Sequence, residues 1–180
     1  SLNSITSRNF NIMIKRFFAL AVVVLVFGCK EEPKCIKEVT ATTVFPPDSI
    51  LNKLSIPDAL EMKSFSGPDI NPSPACMAVS ANGDVFVGVD MIGSLGKDMG
   101  KGFVKRLVDC DHDGVMDSFT QFAQVDNPRG ILAIGDQVFV LHTTFSDATK
   151  KAENMDLVVF DDADNDGVAD GPAKVLIKNI

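Results

Sequence analysis

The sequence predicts an all-β chain built from repeated four-stranded units. Three observations carry that expectation. From residue 56 onward, short runs of β-branched and aromatic residues alternate with Gly, Asn, Asp and Pro, the punctuation of strands and turns. The hairpin strand Val85-Phe86-Val87 recurs as Val138-Phe139-Val140, 53 positions later. An acidic nonapeptide beginning at Asp109 recurs at Asp162, again 53 positions on.

The elements follow in order. Residues 59–65 read as a leading strand, although Pro57-Asp58-Ala59-Leu60-Glu61 also has the form of a short helix opening. The first unit starts at Pro74-Ala75-Cys76-Met77-Ala78-Val79. It turns at Ala81-Asn82-Gly83 and returns through residues 85–89. The second starts at Pro128-Arg129-Gly130-Ile131-Leu132-Ala133-Ile134, turns at Gly135-Asp136 and returns through residues 138–141. Polar or Gly-rich loops follow, 90–102 and 142–154, then third strands at 103–108 and 157–160. Each third strand runs into an acidic loop and a last strand, 119–123 and 174–177.

Four short strands per unit of about 50 residues is the signature of a β-propeller blade. One blade cannot cover both its apolar faces, and a closed ring takes about four or more. Residues 56–180 are therefore expected to form a partial β-propeller, about two blades plus a leading strand, the opening part of a larger ring. A β-sandwich also shows short strands and is the alternative. The joint recurrence of hairpin and acidic loop favours the propeller.

Ahead of this domain the chain reads as an export signal. Met13 is a plausible start, Lys15 and Arg16 follow, and residues 17–27 are apolar. That run fits a signal-peptide core and is too short to span a bilayer. Val26-Phe27-Gly28-Cys29 resembles a bacterial lipobox, in which the Cys thiol is lipidated and the chain is cut just before it, although Phe27 departs from the usual residue. A buried hydrophobic strand or helix is the plainer alternative. Residues 1–28 are thus expected to be a signal peptide with an upstream extension. Cys29 and the polar, Pro-containing stretch to residue 55 would form a lipidated tether. Acylation on this scale gives stable membrane attachment. Lys30-Glu31-Glu32 resembles the surface-export signal of some Bacteroidetes lipoproteins, or is simply a solvated linker. The location implied is the bacterial outer membrane, facing the periplasm or the cell surface.

Charge and composition exclude some classes. The net charge is −7 and removal of residues 1–28 takes away three basic residues and no acid, so the mature chain stands at −10. A nucleic-acid partner is not expected, since such proteins need a basic face. There is no Trp or Tyr, and all 13 aromatics are Phe, which argues against an aromatic sugar-stacking platform. With Cys29 acylated, Cys35, Cys76 and Cys110 remain, in neither CxxC nor CxxCH spacing, so no zinc knuckle or covalent haem site is read. Export would permit a disulfide. Cys76 reads as a small core residue.

The acidic loops carry the clearest chemistry. Asp109-Cys110-Asp111-His112-Asp113-Gly114-Val115-Met116-Asp117 and Asp162-Ala163-Asp164-Asn165-Asp166-Gly167-Val168-Ala169-Asp170 both read DxDxDGxxD. Oxygens at positions 1, 3 and 5 converge when the backbone coils through a tight turn, and Gly at position 6 supplies that turn. The carbonyls of Val115 and Val168 at position 7, and Asp117 and Asp170 at position 9, would add ligands. Hard oxygen donors of this number suit Ca²⁺ better than Zn²⁺, Cu²⁺ or Mg²⁺. Without a cation, four carboxylates in one loop repel one another. Position 12 is Thr120 or Ala173, so neither loop is an ordinary EF-hand, and affinity is expected near that of extracellular modules, about 10⁻⁴ to 10⁻³ M. The alternative is a polar Asp-Gly turn without metal.

His112 at loop position 4 is expected to point into solvent. His142, after an apolar strand, is a candidate for catalysis at a blade end. Arg129, between Pro128 and Gly130, is a candidate for binding an anionic cofactor or else a surface turn. Residues 93–102 are rich in Gly and Lys but lack phosphate-loop spacing and read as a flexible connection.

These features together carry a family resemblance. The residues are Ile56-Pro57, Pro74 with Met77-Ala78-Val79, Asn82-Gly83-Asp84-Val85-Phe86-Val87, and above all Val104-Lys105-Arg106-Leu107-Val108 running into the first acidic loop, then Pro128-Arg129-Gly130 and the second loop. They resemble the N-terminal propeller of membrane-bound dehydrogenases of the planctomycete and verrucomicrobial type, related to glucose/sorbosone dehydrogenases and often fused to a haem-binding CxxCH domain. The resemblance covers roughly two thirds of the chain and only the front of that propeller. It implies an exported oxidoreductase acting on a sugar or other alcohol, a cofactor of the pyrroloquinoline quinone type, and electron transfer to c-type haem in a downstream domain or a c-type cytochrome. No catalytic residue of the family maps onto this stretch. The competing class is a non-catalytic, calcium-stabilised surface propeller that binds glycan or protein.

Overall fold

The computed structural model describes residues 51, 53–92 and 98–180. The expected signal peptide, Cys29, most of the tether and residues 93–97 of the Gly-rich connection lie outside the described residues. Among the described residues every strand belongs to one of two antiparallel sheets, each ordered as it runs in sequence. The first contains β1 (Pro74–Val79), β2 (Val85–Asp90), β3 (Gly102–Val108) and β4 (Ser118–Gln124). The second contains β5 (Pro128–Ile134), β6 (Gln137–Phe145), β7 (Ala152–Asp161) and β8 (Lys174–Ile177). The all-β class and the two four-stranded units are as expected from the sequence.

Alternation along β2 and β3 sorts the core into two layers. Val85, Val87, Val89 and Leu107 point to one side, where Ile70, Phe65 and Met116 cover them. Phe86, Val104 and Phe122 point to the other, against Val138, Val140, Val158 and Phe160 of the second sheet. Because both faces of β2 are covered, all six of its residues are buried, and four of them are Val or Phe. Phe122 sits at the centre of the joint between the sheets. Its ring meets Phe86 edge-on at 5.3 Å and Phe160 edge-on at 6.0 Å, the geometry that the ring quadrupole favours.

The turns are local in origin. Gly83 (φ 93°) and Gly135 (φ 61°) take the left-handed backbone that closes each first hairpin, and Gly135-Asp136 is a two-residue turn flanked by the pair Ile134–Gln137.

Two expectations are corrected. Residues 59–65 form neither strand nor helix. Pro57 accepts one turn hydrogen bond from Leu60 N (2.9 Å), and the segment then meets the first acidic loop instead of a sheet. Phe65 packs onto the first sheet while Leu60 and Met62 stay exposed, and no described strand lies beside the segment to pair with. The loop expected over 142–154 is shorter. β6 runs on to Phe145 and β7 starts at Ala152, because Thr143↔Met155 and Thr144↔Asn154 extend the ladder with polar but β-compatible residues. The final strand, Lys174–Ile177, falls where the sequence places it.

Candidate metal centre

Each acidic loop joins the third strand of its sheet to the fourth, and each is shaped by its own carboxylates. In the first, Gly114 N donates to Asp109 Oδ2 (2.8 Å), Asp113 N to Asp111 Oδ1 (3.3 Å), Val115 N to Asp113 Oδ1 (2.8 Å) and Cys110 N to Asp117 Oδ2 (2.8 Å). The second repeats all four bonds. Gly167 N donates to Asp162 Oδ2 (3.3 Å), Asp166 N to Asp164 Oδ1 (3.3 Å), Val168 N to Asp166 Oδ1 (2.8 Å) and Ala163 N to Asp170 Oδ2 (2.7 Å). The left-handed residues also coincide, His112 and Asn165 both at φ 58°, Gly114 at 88° and Gly167 at 84°. Asn tolerates that conformation, and Gly adopts it without a Cβ clash. A sequence match has become a match of backbone and hydrogen bonding.

The loops gather carboxylates. Asp109, Asp111 and Asp117 offer oxygens within 4.8 Å of one another, and so do Asp162, Asp164 and Asp166. The two clusters differ in their third member. Asp113 and Asp170, also expected as ligands, lie outside the clusters; like the cluster members, each accepts one of the loop bonds just given. Val115 and Val168 sit at the turn with carbonyls available from the backbone. His112 is exposed, as expected for position 4.

The surroundings of the loops differ more. The first loop docks on the segment before β1, where Met116 N donates to Phe65 O (3.0 Å) and Lys63 Nζ to Asp113 O (2.9 Å). The second docks on the first sheet. Ala169 N donates to Phe122 O (2.9 Å), Thr120 Oγ1 donates to Gly167 O, and Arg106 Nη1 donates to Asn165 O (3.1 Å). Thr120 occupies position 12 of the first loop, where an EF-hand carries its bidentate Glu, and here it holds the next loop instead.

Arg106 is buried, and it is the residue that sequence reasoning missed. Its Nη2 lies 2.7 Å and its Nε 2.9 Å from Asp84 Oδ2, and its Nη1 is 3.5 Å from Asp162 Oδ2. A guanidinium can serve two carboxylates at once through its forked donors. The available signal was an Arg inside the apolar run Val104-Lys105-Arg106-Leu107-Val108, which has to be paired if it turns inward. Asp162 is only 5% exposed, and its Oδ1 is buried without a hydrogen-bond partner. Burial pushes its carboxyl above the usual range. Arg106 and the Gly167 N–H pull the other way, and neighbouring Asp166 and Asp164 add to the rise.

The chain from residue 46 to residue 178 matches a family described as a domain of unknown function, DUF7133. The chain belongs to that family. No curated protein and no solved structure matches it. The match in this DUF7133 member begins ahead of residue 56, where the sequence placed the domain start, and takes in both sheets and both acidic loops.

His142 and Arg129 come together at one end of the second sheet. Pro128 pairs with His142, and exposed Arg129 occupies the bulge beside them. His142 Nδ1 is buried without a hydrogen-bond partner. The ring borders an open groove of about 770 Å³ between the sheets, floored by Phe122 and Phe160 and edged by Gln124, Asp126 and Thr144. Cys76 is half-buried in β1 and is a free thiol, with its pKa raised by burial against the opposing pull of a Gly88 backbone hydrogen bond. Cys110 is disulfide-bonded.

Proposed function

We propose that the chain is the calcium-stabilised front of an exported β-propeller, held at a bacterial outer membrane by lipid on Cys29. The observation that carries the calcium reading is the orphaned Oδ1 of buried Asp162, set among carboxylates in a loop whose hydrogen bonds repeat in its partner loop. A buried anionic oxygen with no donor is costly unless a cation meets it. The donors are all hard oxygens, which fits Ca²⁺. Asp109, Asp111 and Asp117 would hold one ion and Asp162, Asp164 and Asp166 the other, with Val115 and Val168 carbonyls and water to complete each shell.

The propeller reading is supported by two sheets of the same strand order packed face against face, with equivalent loops docking on whatever precedes them. Export is supported by the Cys110 disulfide, a bond that persists in oxidising compartments.

The dehydrogenase reading rests on the family resemblance of the sequence. In it a pyrroloquinoline quinone, when bound, accepts the electrons of a sugar or alcohol. Arg129 would meet its carboxylates, and neutral His142, at the edge of the groove, would accept the proton that the substrate hydroxyl loses. A c-type cytochrome would take the electrons onward. The alternative is a non-catalytic surface propeller binding glycan or protein, which the same calcium loops serve equally well. The deciding experiment is dye-linked oxidation of aldoses and alcohols by the full-length protein reconstituted with quinone and Ca²⁺. Turnover supports the enzyme, and the absence of both cofactor uptake and turnover rejects it in favour of the binding module.

A further inference from the structure

Two acidic loops with the same internal hydrogen bonds need not be the same site, because what lies behind them differs. Behind the first is the 63–65 segment, joined through backbone carbonyls. Behind the second is a buried triad of charges, Asp84, Arg106 and Asp162, of which Arg106 lies on β3 of the opposite sheet and Asp84 in the turn just ahead of its β2. Arg106 commits both Nε and Nη2 to Asp84, so its remaining reach toward Asp162 is through Nη1 alone. That contact falls on Oδ2, which also takes the Gly167 N–H, and leaves Oδ1 buried and unpartnered. The triad sets two acidic side chains against one guanidinium, and one oxygen of Asp162 faces no donor.

We infer that the second loop is a divalent-cation site built across the joint between the two sheets, with Arg106 as its positioning residue. Arg106 grips one oxygen of Asp162 and so turns the other toward the ion, while Asp164 and Asp166 close on it from the exposed side. The inference rests on the calcium reading above and deepens it. Occupancy then depends on the joint being closed, and the ion in return stiffens the bond from Ala169 N to Phe122 O that spans it. The first loop has no such dependence, since among the described residues no cationic side chain of a neighbouring sheet holds Asp109. Simple charge counting predicts the reverse of a positioning role. Removing a positive charge near a cation site should tighten binding, whereas removing a positioning group should weaken it.

The sign of the change is therefore the test. Calcium is titrated calorimetrically into the full chain carrying Asp111→Asn and Asp117→Asn, which leaves the second loop. Adding Arg106→Met should weaken binding about tenfold or more, and Arg106→Lys should recover part of it. Unchanged or tighter binding in a folded Arg106→Met chain overturns the inference. If that variant does not fold, the unaltered chain decides by hydrogen exchange. Calcium should slow the Ala169 amide roughly tenfold, and slowing confined to residues 163–167 overturns the inference. Absence of any calcium binding to the unaltered chain overturns the calcium reading itself, a different result from either of these.

Discussion

The Phe122 and Phe160 rings stand edge to face with centroids 6.0 Å apart, one from each sheet, and they close the joint that places the second acidic loop against the first sheet. Phe122 is 1% exposed and its own backbone carbonyl receives the loop's Ala169 N–H. Packing and loop docking are thus fixed by one residue.

Truncating that residue should show how much the joint contributes. Phe122→Ala removes contacts with Phe86 and Phe160 together and leaves a cavity between sheets. We expect a loss of about 3–5 kcal/mol in urea unfolding. A loss below about 1 kcal/mol would mean that the sheets do not depend on each other.

Calcium should raise the melting temperature of the protein over that in chelator, since an ion that binds only the folded state stabilises it by mass action. At calcium about 100-fold above Kd each site adds about 2.7 kcal/mol. Asp111→Ala combined with Asp164→Ala should abolish most of the difference, as each removes an exposed member of one cluster. A shift of the same size in the double variant would place the ions elsewhere.

The acid side of the stability curve should carry the mark of Asp162. Its folded pKa is raised by burial, so the folded chain holds this proton more tightly than the unfolded chain does. The stabilisation from that proton is present at acid pH and is lost as pH rises through the folded pKa. In chelator, Asp162→Asn should therefore melt above the parent at neutral pH, with the gap closing as pH falls and Asp162 becomes protonated. With calcium the order at neutral pH should invert, because the ion needs the charged form. A gap in chelator that is constant with pH would contradict the assignment.

Gly102 should tolerate no side chain. A Cβ there would lie 2.5 Å from both Asn127 N and Val125 O, backbone atoms that cannot swing aside. Gly102→Ala should destabilise the protein by about 1–3 kcal/mol through displacement of the connection between sheets. Gly83→Ala is a useful contrast, since nothing lies near its Cβ and its cost arises from positive φ alone. If both variants melt with the parent, the close approach at Gly102 is not maintained in solution.

The amino-acid sequence by itself determined the strands, the hairpin turns and the form of the acidic loops. These are local matters. Alternation along Val85-Phe86-Val87 sets the two faces of a strand, and Gly114 or Gly167 six positions into a loop sets its coil, whatever surrounds it. The 53-residue recurrence was visible for the same reason, since equal spacing encodes equal backbone. Residues 59–65 show the limit of the method, for a short apolar run does not state whether a partner strand will lie beside it.

What only the tertiary structure decided is the difference between two loops of one pattern. Asp109 is partly exposed while Asp162 is buried, and the clusters take Asp117 in one case and Asp166 in the other. The cause lies far off in sequence, in Arg106 on the facing sheet and Asp84 in the turn ahead of its second strand, 56 and 78 positions before Asp162. Desolvation and ion pairing depend on what the fold carries to a site, and no spacing within a nonapeptide records it.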